Sequence, residues 1–575
     1  MTRPFTSLFI LMTMAFGVES LADWPGVRLT RPLTEGVVPG IPGEELIAVS
    51  GQAPWMANEG IAADGSYLEF GEKVDCYFFG GISEMEPAYC LGDPVAGIPA
   101  DWTVSYWNLR GLSEQGVMAF RAEFDFPGVD PPHNGYGVIG GVPGDVRAIM
   151  LPGDPAPEFS TGVIPTIGSA FFDIHMADDG TLLVHLLTMD IIDGESQPFV
   201  SFRVGDVAGT APIAWTGMPA PGMGEGIRFR FLSSVLLSDG GVVAFRGGLM
   251  GPGVEDDNDI ALYVGTEVNL VPFIRYGDPA PGFGSKDITV RNASLKGVNP
   301  SGDVSAFGTV EGPGVDGDYE RVIWAGQPGA LHIVAHQGDP LPGAEASIVY
   351  DLFSYGFINA DRKIILSARA VGEGVDESND NYVLYGPYDA PEIVLRDGDL
   401  LPNSEEPFQL DGFRNAVLSD EGQIALRTNW PSSSYTGGPD ASTLMSPDGG
   451  RTWRTVIRNG DVLDGRTVLT VDYRTLTGGS DGAPQPMNDR QQLGLSVEFT
   501  DGTEHAYLAE LFATADADLD GDTDLSDFGA FQICFSGSGG EAVTNECATA
   551  FDFDFDGDVD LSDFAEFQLD YTGPL

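Results

Sequence analysis

The sequence is poor in positive charge. Against 86 aspartates and glutamates stand 28 lysines and arginines, a formal net charge of −58, and lysine occurs only at 73, 286, 296 and 363. A surface of that sign cannot neutralise phosphates, which excludes nucleic acid as a partner, and anionic lipid repels it. The last 65 residues hold 16 acidic and no basic side chains, so most of the excess lies on the body of the chain. Such surfaces stay soluble through self-repulsion that salt screens, which suits a saline habitat.

Long apolar runs are scarce as well. Arg3, the run from Phe5 to Val18 and the small-residue pattern Ser20-Leu21-Ala22 read as a secretory signal peptide over residues 1–22, cleaved before Asp23. No later segment has 18 uninterrupted apolar residues, which excludes a membrane-spanning helix of the usual length. The mature chain is expected outside the cell, free or attached to its surface. Four cysteines in two close pairs fit disulfides in an oxidising compartment. A zinc site would need CxxC spacing and neighbouring histidines. The six histidines, at 133, 175, 185, 332, 336 and 505, form no HExxH, and His332 and His336 fall on a strand. Phosphate-loop and dinucleotide fingerprints are missing. One G-x-S-x-G, at Gly478 to Gly482, sits in a long loop and not between a strand and a helix, so it reads as a chance match.

What the chain does have is two twelve-residue stretches, DADLDGDTDLSD at 516–527 and DFDFDGDVDLSD at 552–563. An EF-hand-type loop needs oxygen ligands at positions 1, 3, 5, 9 and 12, a backbone carbonyl at 7, and glycine at 6 to turn the chain. The first stretch supplies Asp516, Asp518, Asp520, Gly521, Asp522, Asp524 and Asp527. The second supplies Asp552, Asp554, Asp556, Gly557, Asp558, Asp560 and Asp563. Two calcium ions are the expected cofactor. Phe528, Phe531 and Gln532 after the first loop, and Phe564, Phe567 and Gln568 after the second, predict a short helix with one apolar face in each half.

A loop followed by one helix, in duplicate and with aspartate at position 12, resembles the type I dockerin family. The resemblance covers about the last 60 residues. It implies a small domain, 512–575, that folds around two calcium ions and docks on a cohesin-like protein. In that family positions 10 and 11 help select the cohesin; here they are Leu525 and Ser526, then Leu561 and Ser562. Their identity suits docking either way round. The phenylalanines and the Cys534/Cys547 insert depart from the cellulosomal pattern.

The body, 23–511, is repetitive. A strand ending in a Gly-Asp-Pro-type turn recurs at Gly92, Gly153, Gly217, Gly277, Gly338, Gly398 and Gly460, a repeat of about 61 residues. About 24 residues after each comes a turn and strand such as LSDGGVVAFRG, then a further strand such as ALYVG. Four short strands per unit, A to D, predict an all-β chain of propeller blades, with the Gly-Asp-Pro turn crossing from D of one blade to A of the next. IAADGSYLEF at 61–70 adds a B strand and ELIAVSGQAP at 45–54 adds a D strand, while no D strand follows HAYLAEL at 505–511. An eight-bladed ring is therefore expected, closed by residues 45–51 pairing with HAYLAEL; seven blades with an irregular N-terminal cap is the alternative. In this scheme Cys76 and Cys90 lie on hairpin strands C and D, and bonds 76–90 and 534–547 are expected.

SPDGGRTW at 446–453 matches the Asp-box, S-x-D-x-G-x-T-W, which forms the C-to-D turn in sialidase-like propellers. It speaks to fold and not to activity. The repeat also resembles secreted bacterial tandem-repeat proteins of unestablished role. A sialidase arginine motif is missing, the nearest string being IRFRF at 227–231. The D-to-A loops (Asp93, Asp154, Asp278, Asp339, Asp399, Asp461) and the B-to-C loops (GVEDDND, GVDGD, GVDESND) share one face. Each D-to-A aspartate either caps its turn or contributes to a site for calcium or for a cationic or calcium-bridged ligand such as an acidic glycan, with Met218 interrupting any complete ring. The sequence thus favours a binding or scaffolding module over an enzyme, with a polysaccharide-degrading glycoside hydrolase as the alternative.

Overall fold

Glycine, proline and small polar residues interrupt the chain about every ten residues, and the runs between them pair as antiparallel strands. The computed structural model describes residues 27–31, 46–49, 55–56, 61–69, 72–80, 85–125, 135–164, 171–192, 195–399, 411–429, 441–473, 487–488, 492–511, 515, 517, 523–539 and 545–571. Residues 1–22, expected as a signal peptide, and the G-x-S-x-G lie outside them. Strands form eight sheets, the blades of a β-propeller. Blade 5 is representative: Thr289–Val298, Val304–Glu311, Glu320–Gln327 and Ala330–His336 are strands A to D in order.

Each seam between blades is filled by its own apolar cluster. Ala244, Leu262 and Ile274 of blade 4 meet Val290, Ala306 and Trp324 of blade 5. Comparable clusters fill the other seams between consecutive blades, from 1–2 to 7–8. An eighth joins Ile61, Phe78 and Met56 of blade 1 to Leu508 of blade 8. The inner strands pack on both sides, which is why Ile260–Gly265 is apolar almost throughout.

The ring is closed by the N-terminal chain, but not by the expected segment. Val27–Thr30 completes blade 8, with Val27 opposite Leu511 and Thr30 opposite Leu508. The expected strand, Leu46–Val49, pairs with Tyr67 to Gly65 and so becomes strand A of blade 1. The outer strand of blade 8 is buried on one face, and V-R-L-T alternates to match: Val27 and Leu29 are buried, Arg28 and Thr30 partly open. L-I-A-V has no such alternation.

A buried Ser or Asn opens the A-to-B turns of several blades. Ser113, Asn299, Asn359, Ser419 and Asn488 each accept the backbone N–H four residues on, from Val117, Asp303, Lys363, Gln423 and Gln492, at 2.9–3.1 Å. These turns also join blade to blade. Asn299 donates Nδ2 to the Asn359 carbonyl and Asn359 donates Nδ2 to the Ser419 carbonyl, both at 3.2 Å and both across 60 residues. On the other face, Gly251, Gly312 and Gly372 begin the B-to-C loops at positive φ, where a Cβ would overlap the carbonyl oxygens of Gly226, Asp287 and Ser347 in the D-to-A loops. The two sets of loops therefore pack directly on each other.

Among its described residues the tail carries three helices, α1 (Leu525–Cys534), α2 (Asn545–Phe551) and α3 (Leu561–Asp570). Phe531, Phe551, Phe567 and Val559 form its small core. Among the described residues no helix is long and apolar enough to cross a membrane.

Candidate metal centre

The two acidic stretches start their helices in the same way. Asp524 and Asp560 are N-caps, accepting from Ser526 N and Ser562 N at 2.7 Å. Three residues on, Asp527 and Asp563 complete capping boxes through the N–H groups of Asp524 and Asp560, at 2.7 Å. Their other oxygens accept from Ala517 N and Phe553 N, again at 2.7 Å. Position 12 thus ties the end of each loop back to its second residue. Asp516, Asp518, Asp520 and Asp522 lie outside the described residues, so the geometry of a site is read in the second loop.

There, ligand atoms of Asp552, Asp554 and Asp563 lie within 4.8 Å of one another, and so do those of Asp558, Asp560 and Asp563. Oxygens bound to one calcium ion at about 2.3–2.6 Å stand no more than about 5 Å apart. Oδ1 of Asp552 and Oδ1 of Asp558 are buried with no hydrogen-bond partner, a costly state that a cation would relieve. Burial first, then Asp563 and Asp448, pushes the Asp552 carboxyl up to about 7. Burial and neighbouring carboxylates raise Asp554 and Asp563 too. The donor set is all hard oxygen and fits calcium. Asp556 Oδ1 accepts from Asp558 N, and Gly557 N donates to Asp552 Oδ2. Asp558 Oδ2 accepts from Gly539 N at 2.6 Å, which ties the loop to the insert.

Leu525 and Leu561 are 71 and 72 % exposed, matched apolar residues at the helix starts, and Ser526 and Ser562 are exposed beside them. Ile533 is 86 % exposed. Cys534 is bonded to Cys547, joining α1 to α2, and Cys76 to Cys90, which face each other on strands C and D of blade 1.

The Asp-box forms the C-to-D turn of blade 7, between Ser442–Ser446 and Arg454–Arg458. Asp448 Oδ1 accepts from Arg451 N and Thr452 N, Ser446 Oγ accepts from Gly450 N, and Trp453 packs behind, 4 % exposed. Sequence reasoning missed what this turn touches. Arg454 is 1 % exposed and donates Nη2 to the Ala548 carbonyl at 2.8 Å. Arg451 Nη1 donates to the Asp556 carbonyl at 3.3 Å. The available signal was a pair of arginines bracketing the Asp-box tryptophan in a chain with few basic residues.

On the propeller, Asp93, Asp154, Asp399 and Asp461 each accept the N–H three residues earlier, from Cys90, Leu151, Arg396 and Arg458, at 2.7–2.8 Å. Their carboxylates hold turns. His336 Nε2 lies 2.8 Å from Glu320 Oε2, and its Nδ1 3.4 Å from Asp339 Oδ1. The B-to-C acids Glu255, Asp256, Asp257, Asp316, Asp318, Asp376 and Glu377 are exposed.

Residues 92–514 match the profile of a family described as a family of unknown function (DUF7453). No curated protein matches the chain. Among solved structures the chain is similar to the β-propeller domain of the Trilobed protease from Pyrococcus furiosus. The identity is 8 %, with 70 % of this chain and 95 % of that one covered, and the TM-score is 0.32. The α-L-arabinofuranosidase Arb93A of Fusarium graminearum gives 11 %, 62 %, 95 % and 0.26 in the same order. Trypanosoma rangeli sialidase gives 9 %, 87 %, 62 % and 0.26. Likenesses this loose carry no argument about chemistry.

Proposed function

The chain belongs to the DUF7453 family, which brings no activity with it, and we propose that it is an exported binding or scaffolding propeller attached through a dockerin-like module. In this reading residues 1–22 are the export signal, 23–511 the propeller and 512–575 the module. The module folds around two calcium ions and docks on a cohesin-like protein or cell-surface component, using Leu525 and Ser526 or Leu561 and Ser562. The observation that carries the reading is the second loop, where clustered aspartates leave buried carboxylate oxygens unpartnered. Equal exposure of the two leucines supports a surface that works in either orientation.

Titration calorimetry on the chelator-stripped full chain is expected to count two calcium ions, with Asp516→Ala and Asp552→Ala each removing one. Capture on an immobilised type I cohesin should need calcium, survive exchange of either Leu-Ser pair and fail when both are exchanged. Absence of calcium binding would sink the reading.

A propeller hydrolase would need two carboxylates about 5–10 Å apart in a cleft. The groove between blades 4 and 5, about 290 Å³, has Asp278 as the one carboxylate among the described residues that line it. The exposed acids of the B-to-C loops favour a cationic or calcium-bridged ligand such as an acidic glycan. A glycan array probed with and without calcium tests that part.

A further inference from the structure

We propose that the Asp-box turn of blade 7 is the seat of the second calcium loop, so that this ion site and the propeller form one thermodynamic unit. The proposal rests on the calcium reading above. Burying a guanidinium is expensive unless partners meet it. For Arg454 those partners include the tail: the Ala548 carbonyl takes its Nη2, and its Cζ lies 5.3 Å from the centre of the Phe555 ring. Burial lowers its pKa to about 10 even though the carboxylates of Asp552 and Asp448 oppose the shift. Phe555, at φ 57°, packs on the cluster between blades 7 and 8. At the tip of the turn Arg451 holds the Asp556 carbonyl, and a Cβ on Gly557 would come within 2.8 Å of its Nη1. Glycine at position 6 serves the loop's bend, at φ 87°, and the propeller's Arg451 lies directly against it.

Among the described residues these contacts are made by α2 and the second loop. At positions 2 and 4, where the second loop has Phe553 and Phe555, the first has Ala517 and Leu519. The turn has its own internal bonds, Asp448 accepting from the N–H groups of Arg451 and Thr452, and these do not involve the loop. Of the two carbonyls, that of Asp556 belongs to the loop itself and that of Ala548 to α2, which leads directly into it. An ion that closes the loop thus tightens the interface, and by reciprocity the propeller raises the affinity of that site.

All eight tryptophans precede residue 512, so their fluorescence reports propeller melting alone. In the full chain, calcium is expected to raise that melting temperature in the wild type and in Asp518→Asn, which disables the first loop, but not in Asp554→Asn. Arg454→Met should weaken one calcium site about tenfold, leave the other unchanged and abolish the rise. Arg451→Gln should shift the same site in the same direction, and it decides the matter if Arg454→Met fails to fold. A calcium-dependent rise that persists in Asp554→Asn overturns the proposal, as does an unchanged second site in both arginine variants. Two bound ions with no response of the wild-type propeller overturn it while leaving the calcium reading standing. No bound ion at all removes both.

Discussion

Histidine 185, on strand B of blade 3 (Leu182–Ile192), stands edge-on to Phe202 at 5.0 Å between ring centres. Burial pushes its pKa down from 6.5 to about 4, with Asp173 opposing and His175 adding to the fall. His175 is itself lowered by burial. A base whose folded pKa is depressed takes up its proton more readily once unfolded. Stability should be complete above about pH 6.5 and be lost as pH falls through about 4. Denaturant midpoints across that range are expected to drop more steeply for the wild type than for His185→Gln; parallel slopes would contradict the assignment. At this scale the clustering of Asp552, Asp554 and Asp563 was legible, because the aspartates recur at fixed spacing along one short loop. The arginines at 451 and 454 were not, since their partners lie 105 and 94 residues away, respectively. No local pattern encodes that pairing.

Strands were the most legible elements, because a turn residue bounds nearly every one. The closing strand was misassigned for a physical reason. ELIAVSGQAP copies the strand-plus-turn spelling of the D positions, whereas Val27–Thr30 is four residues between Pro25-Gly26 and Pro32, without the turn that marks the other D strands. What decides between them is the match to a half-buried edge, which depends on the neighbouring blade. Leu29→Asp places a charge on a residue 1 % exposed and is expected to cost at least about 3 kcal/mol. Arg28→Ala loses a partly exposed pair with Glu510 at 3.5 Å and should cost under about 1 kcal/mol. Equilibrium unfolding followed by tryptophan fluorescence compares the two. Equal, small effects would mean that Val27–Thr30 does not close the ring.

Across the whole molecule, like charges repel more strongly in the compact state than in the unfolded one, so a net charge of −58 opposes folding. Raising NaCl from about 0.1 to about 1 M shortens the screening length from about 10 to about 3 Å. The melting temperature of the chelator-treated chain is expected to rise over that range, equally with KCl; a flat or falling curve would show that charge is not the limiting term. Eight blades were countable from the repeat, but the seating of the tail on blade 7 was not, because it joins two units whose patterns are each complete without the other.

The 60-residue hydrogen-bond step from Asn299 to Asn359 to Ser419 has a consequence for how such a chain changes through descent. Asn359 offers the next blade the same donor that Asn299 offers it, and offers the previous blade the same backbone acceptor that it finds at Ser419. A whole repeat gained or lost by in-frame recombination between blades 5 and 7 would therefore meet the same polar partners at these turns. Blade 8 is assembled from both ends of the chain, so it stands outside that exchange: crossovers within it would separate a strand from its sheet, while crossovers among the middle blades alter only the circumference.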